Sequence, residues 1–439
     1  LNKEKNDLEK EQEEKDIILP YIKDQDDSLE LMAEALKNHL SNKDYIYQLP
    51  WYMVLGSDEA GKTSFINRSN QKFTLTAVER TSKRYMRENS LYQIDWWASD
   101  DAILLDPEGG MIQQLGTERD PEGKIAKGLW SHLLDWINDV RPQRPINGII
   151  LVVDLPKLIA SNHSDRQALA VILRNRIREV TEQFGARVPV YVVLNKADLI
   201  EGFETFYSDL KQAERHKNLG FSFTLNTDEQ IDNWTKELSD SYTAFVKEIE
   251  EIIFDKLAGT ISQEERESLY MYARQLSGMQ NILLQFISDI LESDRFTTTP
   301  YVRGVYFSSI FQEGIPMDFY QAAISKQFDL PHVVPSYLPE RSQRTYFTYN
   351  FFQNIIYPEA GLVSDNEKKI RRSKRKFILG AVAVAVCGIC VLATWQNYFY
   401  QNKTTSVKIL KLTEEFRQMN ISQSMDPTGR NLLKPLNIL

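Results

Sequence analysis

The chain has 439 residues and a formal net charge of −9, and 42% of its residues are hydrophobic. That length gives room for two or three domains, and an acidic balance excludes general nucleic-acid binding, which needs a basic face. Two cysteines, Cys387 and Cys390, sit inside one apolar run, and five histidines are scattered without the spacing of a metal site; a disulfide framework and a zinc cluster are both excluded.

Residues 1–16 are almost all charged or polar and read as a solvated helix or connector. Leu29, Met32, Ala33, Leu36 and Leu40 then recur at helical spacing, a stripe that predicts packing on the domain that follows. Residues 1–45 are therefore read as an N-terminal helical connector. Because the chain starts at Leu1 rather than Met and stops without a closing signal, it is expected to be a fragment of a longer protein.

Trp51–Ser64, WYMVLGSDEAGKTS, is the most informative stretch. A short apolar strand ends at Gly56, and after four intervening residues come Gly61, Lys62 and Thr63 at a helix start. This is the G-x-x-x-x-G-K-T pattern of a phosphate-binding loop in its proper strand–loop–helix setting. Glycines allow the tight turn that points backbone N–H groups at phosphate oxygens. Lys62 is placed to reach the β- and γ-phosphates, Thr63 to hold Mg²⁺, and the helix N-terminus adds partial positive charge. The phosphate-binding set is read as Gly56, Ala60, Gly61, Lys62, Thr63 and Ser64, joined below by Gly109. Asp58 and Glu59 bring negative charge into this loop, inward against phosphate or outward into solvent, and the sequence leaves both open.

Lys72–Asn89 is rich in Thr, Ser and Arg, and Thr74, Thr76 and Thr81 are candidates for a residue covering the γ-phosphate and Mg²⁺. An ordinary surface loop fits the same residues. Tyr92–Ala98 and Ala102–Asp106 read as two strands joined by a tight turn at Ser99–Asp101. The second delivers Asp106-Pro107-Glu108-Gly109, a D-x-x-G motif in which Asp106 serves the Mg²⁺ side and the Gly109 N–H meets the γ-phosphate. Many GTPases carry a Gln directly after this motif to orient the attacking water. Here Gly110 follows, Glu108 adds charge, and Gln113 and Gln114 are the nearest substitutes, so no catalytic residue is assigned.

Lys124–Val140 is an amphipathic helix, Gly148–Asp154 a buried strand, Arg166–Phe184 a second helix and Val188–Leu194 another buried strand. That strand ends in Asn195-Lys196-Ala197-Asp198. In an N-K-x-D motif the Asp carboxylate accepts from two N–H groups on the guanine edge, a pair that adenine does not present. The Lys stem covers the base and the Asn holds the loop. The base-binding set is Asn195, Lys196 and Asp198, with Ser308 and Ser309 at the end of the last strand, Tyr301–Ser309. Between them Glu201–Thr298 is largely helical in pattern and reads as an insertion, and Gln343–Ile356 reads as an aromatic-rich helix.

Phe377–Trp395, FILGAVAVAVCGICVLATW, is uncharged and long enough to span a bilayer. Seven Lys and Arg residues between 368 and 376 crowd its N-terminal flank, and Trp395, Tyr398, Phe399 and Tyr400 mark the other. The positive-inside rule then puts residues 1–376 in the cytoplasm and residues 397–439 across the membrane. The fold expected is α/β: a P-loop GTPase-like domain on a mostly parallel sheet (46–215, with its last strand at 301–315), a helical insertion (216–300), a helical C-terminal cytoplasmic part (316–370) and a transmembrane helix (377–395).

YQLPWYMVLGSDEAGKTS (47–64), DWWASDDAILLDPEGG (95–110), RPQRPINGIILVVD (141–154), PVYVVLNKADLIEGFETFYSDL (189–210), RGVYFSSIFQEGIPMD (303–318) and FFQNIIYPEAGL (351–362) together resemble the IcmF family. Its type VI secretion member is TssM, and the type IVB Dot/Icm machine has a counterpart. The resemblance implies an inner-membrane subunit of a bacterial secretion machine, with its cytoplasmic nucleotidase-like domain inserted between transmembrane segments. It also implies a DotU/TssL-type inner-membrane partner, further copies of the same chain, contact with membrane lipid, and an outer-membrane lipoprotein in type VI systems. GTP or GDP with Mg²⁺ held by Thr63 and Asp106 is the expected cofactor. A conformational switch with slow GTPase activity, an NTPase driving secretion, and a structural protein with a vestigial pocket all fit the residues.

Overall fold

The computed structural model describes residues 2–40, 45–75, 94–114, 121–224, 234–259, 261–291, 300–310, 344–363, 367–418 and 428–437. They fall into two units, Leu1–Glu367 and Lys368–Leu439.

In the first unit the strands are β1 (Trp51–Leu55), β2 (Phe73–Leu75), β3 (Ile94–Ser99), β4 (Ile103–Pro107), β5 (Gly148–Asp154), β6 (Pro189–Asn195), β7 (Leu219–Ser222) and β8 (Tyr301–Phe307). They form one sheet in the order β2-β3-β4-β1-β5-β6-β8-β7. The five central strands, β4 to β8, run parallel. The edges are antiparallel, β2 and β3 on one side and β7 on the other. Helices in this unit include α1 (Asn2–His39), α2 (Lys62–Asn67), α3 (Pro121–Val140), α4 (His163–Phe184), α5 (Trp234–Leu257) and α6 (Gln263–Leu291), with shorter turns between them.

A parallel strand covered on both faces needs apolar side chains in both directions, and β1, β5 and β6 are buried along their whole length. Alternation then sorts their residues. Met53, Leu55, Ile149, Leu151, Val190 and Val192 face one core, where Leu133, Ile177, Ile249 and Leu283 of α3, α4, α5 and α6 join them. Tyr52, Val54, Ile150, Val152, Tyr191 and Val193 face the other, covered by Phe65 and Ile66 of α2 and by Phe351, Phe352 and Ile356. Leu29 and Leu36 of α1 are buried in the first core, as their spacing predicts.

Two elements depart from the periodicity. Within 216–300, expected as helical, Leu219–Ser222 forms an edge strand against β8. The two long helices of that stretch share the core of the sheet, with the Phe245 and Phe307 rings stacked 5.1 Å apart. The aromatic segment expected as a helix over Gln343–Ile356 is helical only toward its end, where Phe351–Ile356 forms a π-helix. Before it Tyr346 pairs as a bridge with Ser309, because the backbone of Ser309 is an open sheet position that an extended residue satisfies. Gln343 and the whole of 311–343 lie outside the described residues.

This returning segment is locked to the sheet by polar contacts. Arg303 on β8 makes a two-pronged pair with Glu359, Nε to Oε2 at 2.8 Å and Nη2 to Oε1 at 2.6 Å, and Tyr191 donates to the same carboxylate at 2.9 Å. Tyr52 donates to the Ile356 carbonyl at 2.6 Å.

The second unit contains α7 (Glu367–Gln418) and the short helix Arg430–Leu436. Among the described residues, Arg375–Gln418 is the one helix whose length and composition suit a membrane crossing. Its uncharged run Phe377–Trp395 is about 28 Å long at 1.5 Å per residue, close to the bilayer's hydrocarbon thickness of about 30 Å.

Removing one member of a buried ion pair strands the other. Glu359→Ala is therefore expected to destabilise the first unit by about 3–5 kcal/mol, and Arg303→Met added to it to recover most of the loss. Urea unfolding followed by tryptophan fluorescence measures both.

Candidate functional site

Parallel strands all end at the same edge, so the loops after β1, β4, β5 and β6 meet there whatever their separation in sequence. β1 lies between β4 and β5, and the chain reverses its direction of travel across the sheet at that point. The Gly56–Thr63 loop follows β1 at that point.

The loop's shape needs its glycines. A Cβ on Gly56 would overlap the Val152 carbonyl oxygen, and Gly61 has φ +82° with Asn195 Nδ2 only 2.6 Å from where a Cβ would stand. Lys62 is buried at the start of α2, and its Nζ donates to the Gly56 carbonyl at 3.2 Å, curling the side chain back over the loop. Thr63 Oγ1 donates to Asp106 Oδ2 at 2.8 Å, so the hydroxyl and carboxylate read as one metal site are brought together from β4 and α2. Ser64 is exposed and lies within the first turn of α2.

The acidic residues of the loop take different directions. Glu59 faces outward, with Oε2 3.8 Å from Lys157 Nζ. Asp58 packs against Gly109: a Cβ on Gly109 would overlap Asp58 Oδ1 and lie 2.5 Å from Asp58 N and 2.7 Å from its Cα. The glycine of D-x-x-G thus lets the Gly56–Thr63 loop and the turn after β4 approach within van der Waals distance. After it, Gly109–Gln113 forms one helical turn with Gln114 as its left-handed cap, so Gln113 and Gln114 stand at the far end of that turn.

The turn after β6 fastens itself to the same loop. Asn195 Nδ2 donates to the Ala60 carbonyl at 3.0 Å, and Lys196 Nζ to the Glu59 carbonyl at 2.6 Å. Lys196 also pairs with Asp154 Oδ2 at 2.6 Å, where both side chains are largely buried. Lys196 adopts a left-handed conformation, φ 63°, which turns the chain into the short helix Ala197–Leu199 carrying the buried Asp198. Asp154 is a residue the motif reading passed over. Its signal is local: a strand-ending Asp before Leu155-Pro156 caps the next helix, accepting from Lys157 N at 2.9 Å.

Ser308 and Ser309 are buried, both 1% exposed. Ser308 accepts from Ala197 N at 3.1 Å through its carbonyl, which ties β8 to the Asn195–Asp198 turn. Its hydroxyl pairs with Thr348 Oγ1 at 2.9 Å, and the Ser309 backbone pairs with Tyr346. The structure thus brings Gly56, Ala60, Gly61, Lys62, Thr63, Asp106, Gly109, Asn195 and Lys196 into one connected set, with Ser308 joined at its margin. Of the candidate switch threonines, Thr74 lies in β2, whereas Thr76 and Thr81 fall outside the described residues.

A model of the IcmF-related N-terminal domain matches residues 124–385, more than half of the chain. The chain belongs to the IcmF-related family. Among curated proteins, the type VI secretion system component TssM1 of Pseudomonas aeruginosa strain PAO1 is 27% identical over 413 residues, covering 94% of this chain and 36% of that protein. This IcmF-related chain therefore spans about a third of the length of the relative it matches. Two solved structures are also similar. One is an ADP-ribosylation-factor-like GTP-binding protein, the small COPII coat GTPase SAR1, from Encephalitozoon cuniculi in complex with GDP. It is 21% identical and covers 44% of this chain and 70% of its own, with a TM-score of 0.21. The other is a GDP-bound mutant of the S. thermophilus FeoB G-domain, 14% identical over 56% of this chain and 98% of its own, also with a TM-score of 0.21.

The residues present suit a magnesium nucleotide. Among the described residues no cluster of three or more His, Cys, Asp or Glu side chains could hold a metal unaided. Mg²⁺ beside a nucleotide asks for less, one or two protein oxygens plus phosphates, and Thr63 with Asp106 supplies those.

The Asp58–Gly109 approach gives a direct test of loop packing. Gly109→Ala is expected to separate the two loops and cost about 1–3 kcal/mol as an overpacked contact. Asp58→Gly should relieve it only in part, because the backbone atoms of residue 58 remain in the way. Thermal unfolding of the single and double variants measures this.

Proposed function

We propose that this IcmF-related chain is a cytoplasmic part, with one membrane-spanning helix, of an inner-membrane scaffold subunit in a bacterial protein secretion machine, and that it binds GTP or GDP with Mg²⁺ as a conformational switch. The secretion role rests on family membership and on the similarity to a type VI component; the type IVB homologue is the other machine within the family. Residues 1–376 are then cytoplasmic and 396–439 periplasmic, with a DotU/TssL-type protein, further copies of this chain and, in type VI systems, an outer-membrane lipoprotein as partners.

The observation that supports nucleotide binding best is the direct fastening of the Asn195–Lys196 turn onto the Gly56–Thr63 loop. Residues suited to a base and residues suited to phosphates share one framework. In the bound state Lys62 and the loop N–H groups would hold phosphate, Thr63 and Asp106 would hold Mg²⁺, and Asp198 would read guanine. Bound Mg²⁺ supplies charge neutralisation on the phosphates. Asp58 and Gly110 favour a switch over a motor: an acid stands against Gly109, and no glutamine follows it to orient water. Ligand-driven movement of the Asp106–Gly109 turn would shift the Asp58 contact, coupling the pocket to the rest of the unit.

Calorimetric titration of GTP, GDP and ATP with Mg²⁺ into the full chain in detergent tests the reading. The expected result is guanine nucleotide binding with preference over ATP, loss of binding of at least tenfold in Lys62→Ala, and relaxed base preference in Asp198→Asn. Hydrolysis should be slow and rise in Asp58→Gly. Absence of binding would reduce the pocket to a structural element, and rapid turnover lost in Lys62→Ala would replace the switch with a motor.

A further inference from the structure

The block Arg141–Asn147, RPQRPIN, plays no part in the nucleotide reading. It connects α3 to β5 and lies at the opposite edge of the sheet, where Asn147 Oδ1 accepts from Trp51 N, the first residue of β1, at 3.0 Å. Arg141 is 1% exposed there. Its guanidinium lies 4.7 Å from the Trp51 ring centroid and 5.2 Å from that of Tyr47. Nη2 makes one long hydrogen bond, to Asn147 Oδ1 at 3.4 Å. Nε and Nη1 are buried and have no hydrogen-bond partner among the described residues.

Aromatic rings attract a cation through their faces but offer nothing to the in-plane N–H groups. An arginine does not discard its charge when buried, and a buried donor without an acceptor is costly. Burial pulls the guanidinium's pKa down, the neighbouring Tyr47 opposes this, and Arg144 adds to it. The same residue lines a cleft of about 400 Å³ with Tyr47, Gln48, Gln143, Arg144 and Asn147, and among the described residues no acidic side chain is in its walls. Cations, amides and a phenol around unsatisfied donors describe the complement of an anion.

We propose that this cleft binds a phosphoryl group, with Arg141 Nε and Nη1 donating to its oxygens and Arg144 supplying a second positive charge. Arginine's planar fork matches the oxygens of a phosphoryl group, which it can engage with two parallel N–H bonds. The volume exceeds that of phosphate alone, so a small attached group fits too. A free phosphorylated metabolite and a phospholipid headgroup present the same chemistry.

The test uses the full chain in neutral detergent, carrying Lys62→Ala so that the Gly56–Thr63 loop does not contribute. Glycerol 3-phosphate and a short-chain phosphatidic acid are titrated separately by calorimetry. Saturable binding of either is expected, weakened at least tenfold by Arg141→Gln and several-fold by Arg144→Gln. Arg141→Lys keeps a cation between the rings and loses the fork, so it should bind at least tenfold more weakly at an unchanged melting temperature. Binding of both probes indicates a free metabolite, and binding of the lipid alone indicates a headgroup. The proposal is overturned if neither probe saturates, if potassium chloride at equal ionic strength gives the same heats, or if Arg144→Gln and Arg141→Lys, folded, bind like their parent.

Discussion

Two hydrogen bonds at the end of β6 set the arrangement on which the rest depends. Asn195 and Lys196 each donate a side-chain N–H to a backbone carbonyl of the Gly56–Thr63 loop, at Ala60 and Glu59. A glycine-rich loop has more backbone freedom to lose than any other segment, so its shape must be held from outside. Lys196 performs this while paired with Asp154, itself the cap of the next helix. Loop, turn and helix start are therefore one polar network spanning β1, β5 and β6. Within it Asn195 Oδ1 is buried without a hydrogen-bond partner among the described residues, while Asn195 Nδ2 and Lys196 Nζ make the fastening bonds.

That network is possible only because the sheet beneath it is rigid in register. β5 and β6 pair from Ile149–Val190 to Asp154–Asn195, which puts the two polar residues side by side at the strand ends. β1 pairs with β5 up to Leu55–Leu151, one residue before Gly56. A slip of one position would turn every buried side chain to the wrong face, and Met53, Ile149 and Val190 could no longer share a core with the helices. The hydrophobic pattern thereby fixes where the polar chemistry stands.

The returning segment 344–363 closes the opposite face of the sheet from α3 to α6. Phe351, Phe352 and Ile356 complete the apolar layer over Tyr52 and Tyr191, while Glu359 satisfies the Arg303 guanidinium. Burial raises the pKa of Tyr52 and Tyr191 well above the ordinary phenol value, with Glu359 adding to it in both, so each stays a neutral donor within this layer. The segment also touches both ends of the parallel strands: Thr348 pairs with Ser308 near the loops, and Ala360 accepts from Asn147 beside Arg141.

The amino-acid order by itself determined the central strands and the loop motifs. Gly148–Asp154 coincides with β5 and Trp51–Leu55 with β1, because an unbroken apolar run bounded by glycine or proline has few other ways to be buried. Edge strand β7 escaped notice: LGFS is short, half-exposed and carries Gly220 at φ +132°, so its pairing comes from β8 rather than from local preference. Only the tertiary structure decided that Glu59 faces outward, that Asp58 rests on Gly109, that Asp154 anchors Lys196 and that Arg141 is enclosed by the Tyr47 and Trp51 rings. Each of those depends on a neighbour brought from tens of residues away, and a side chain's direction is set by that neighbour's charge and volume, neither of which is written at its own position.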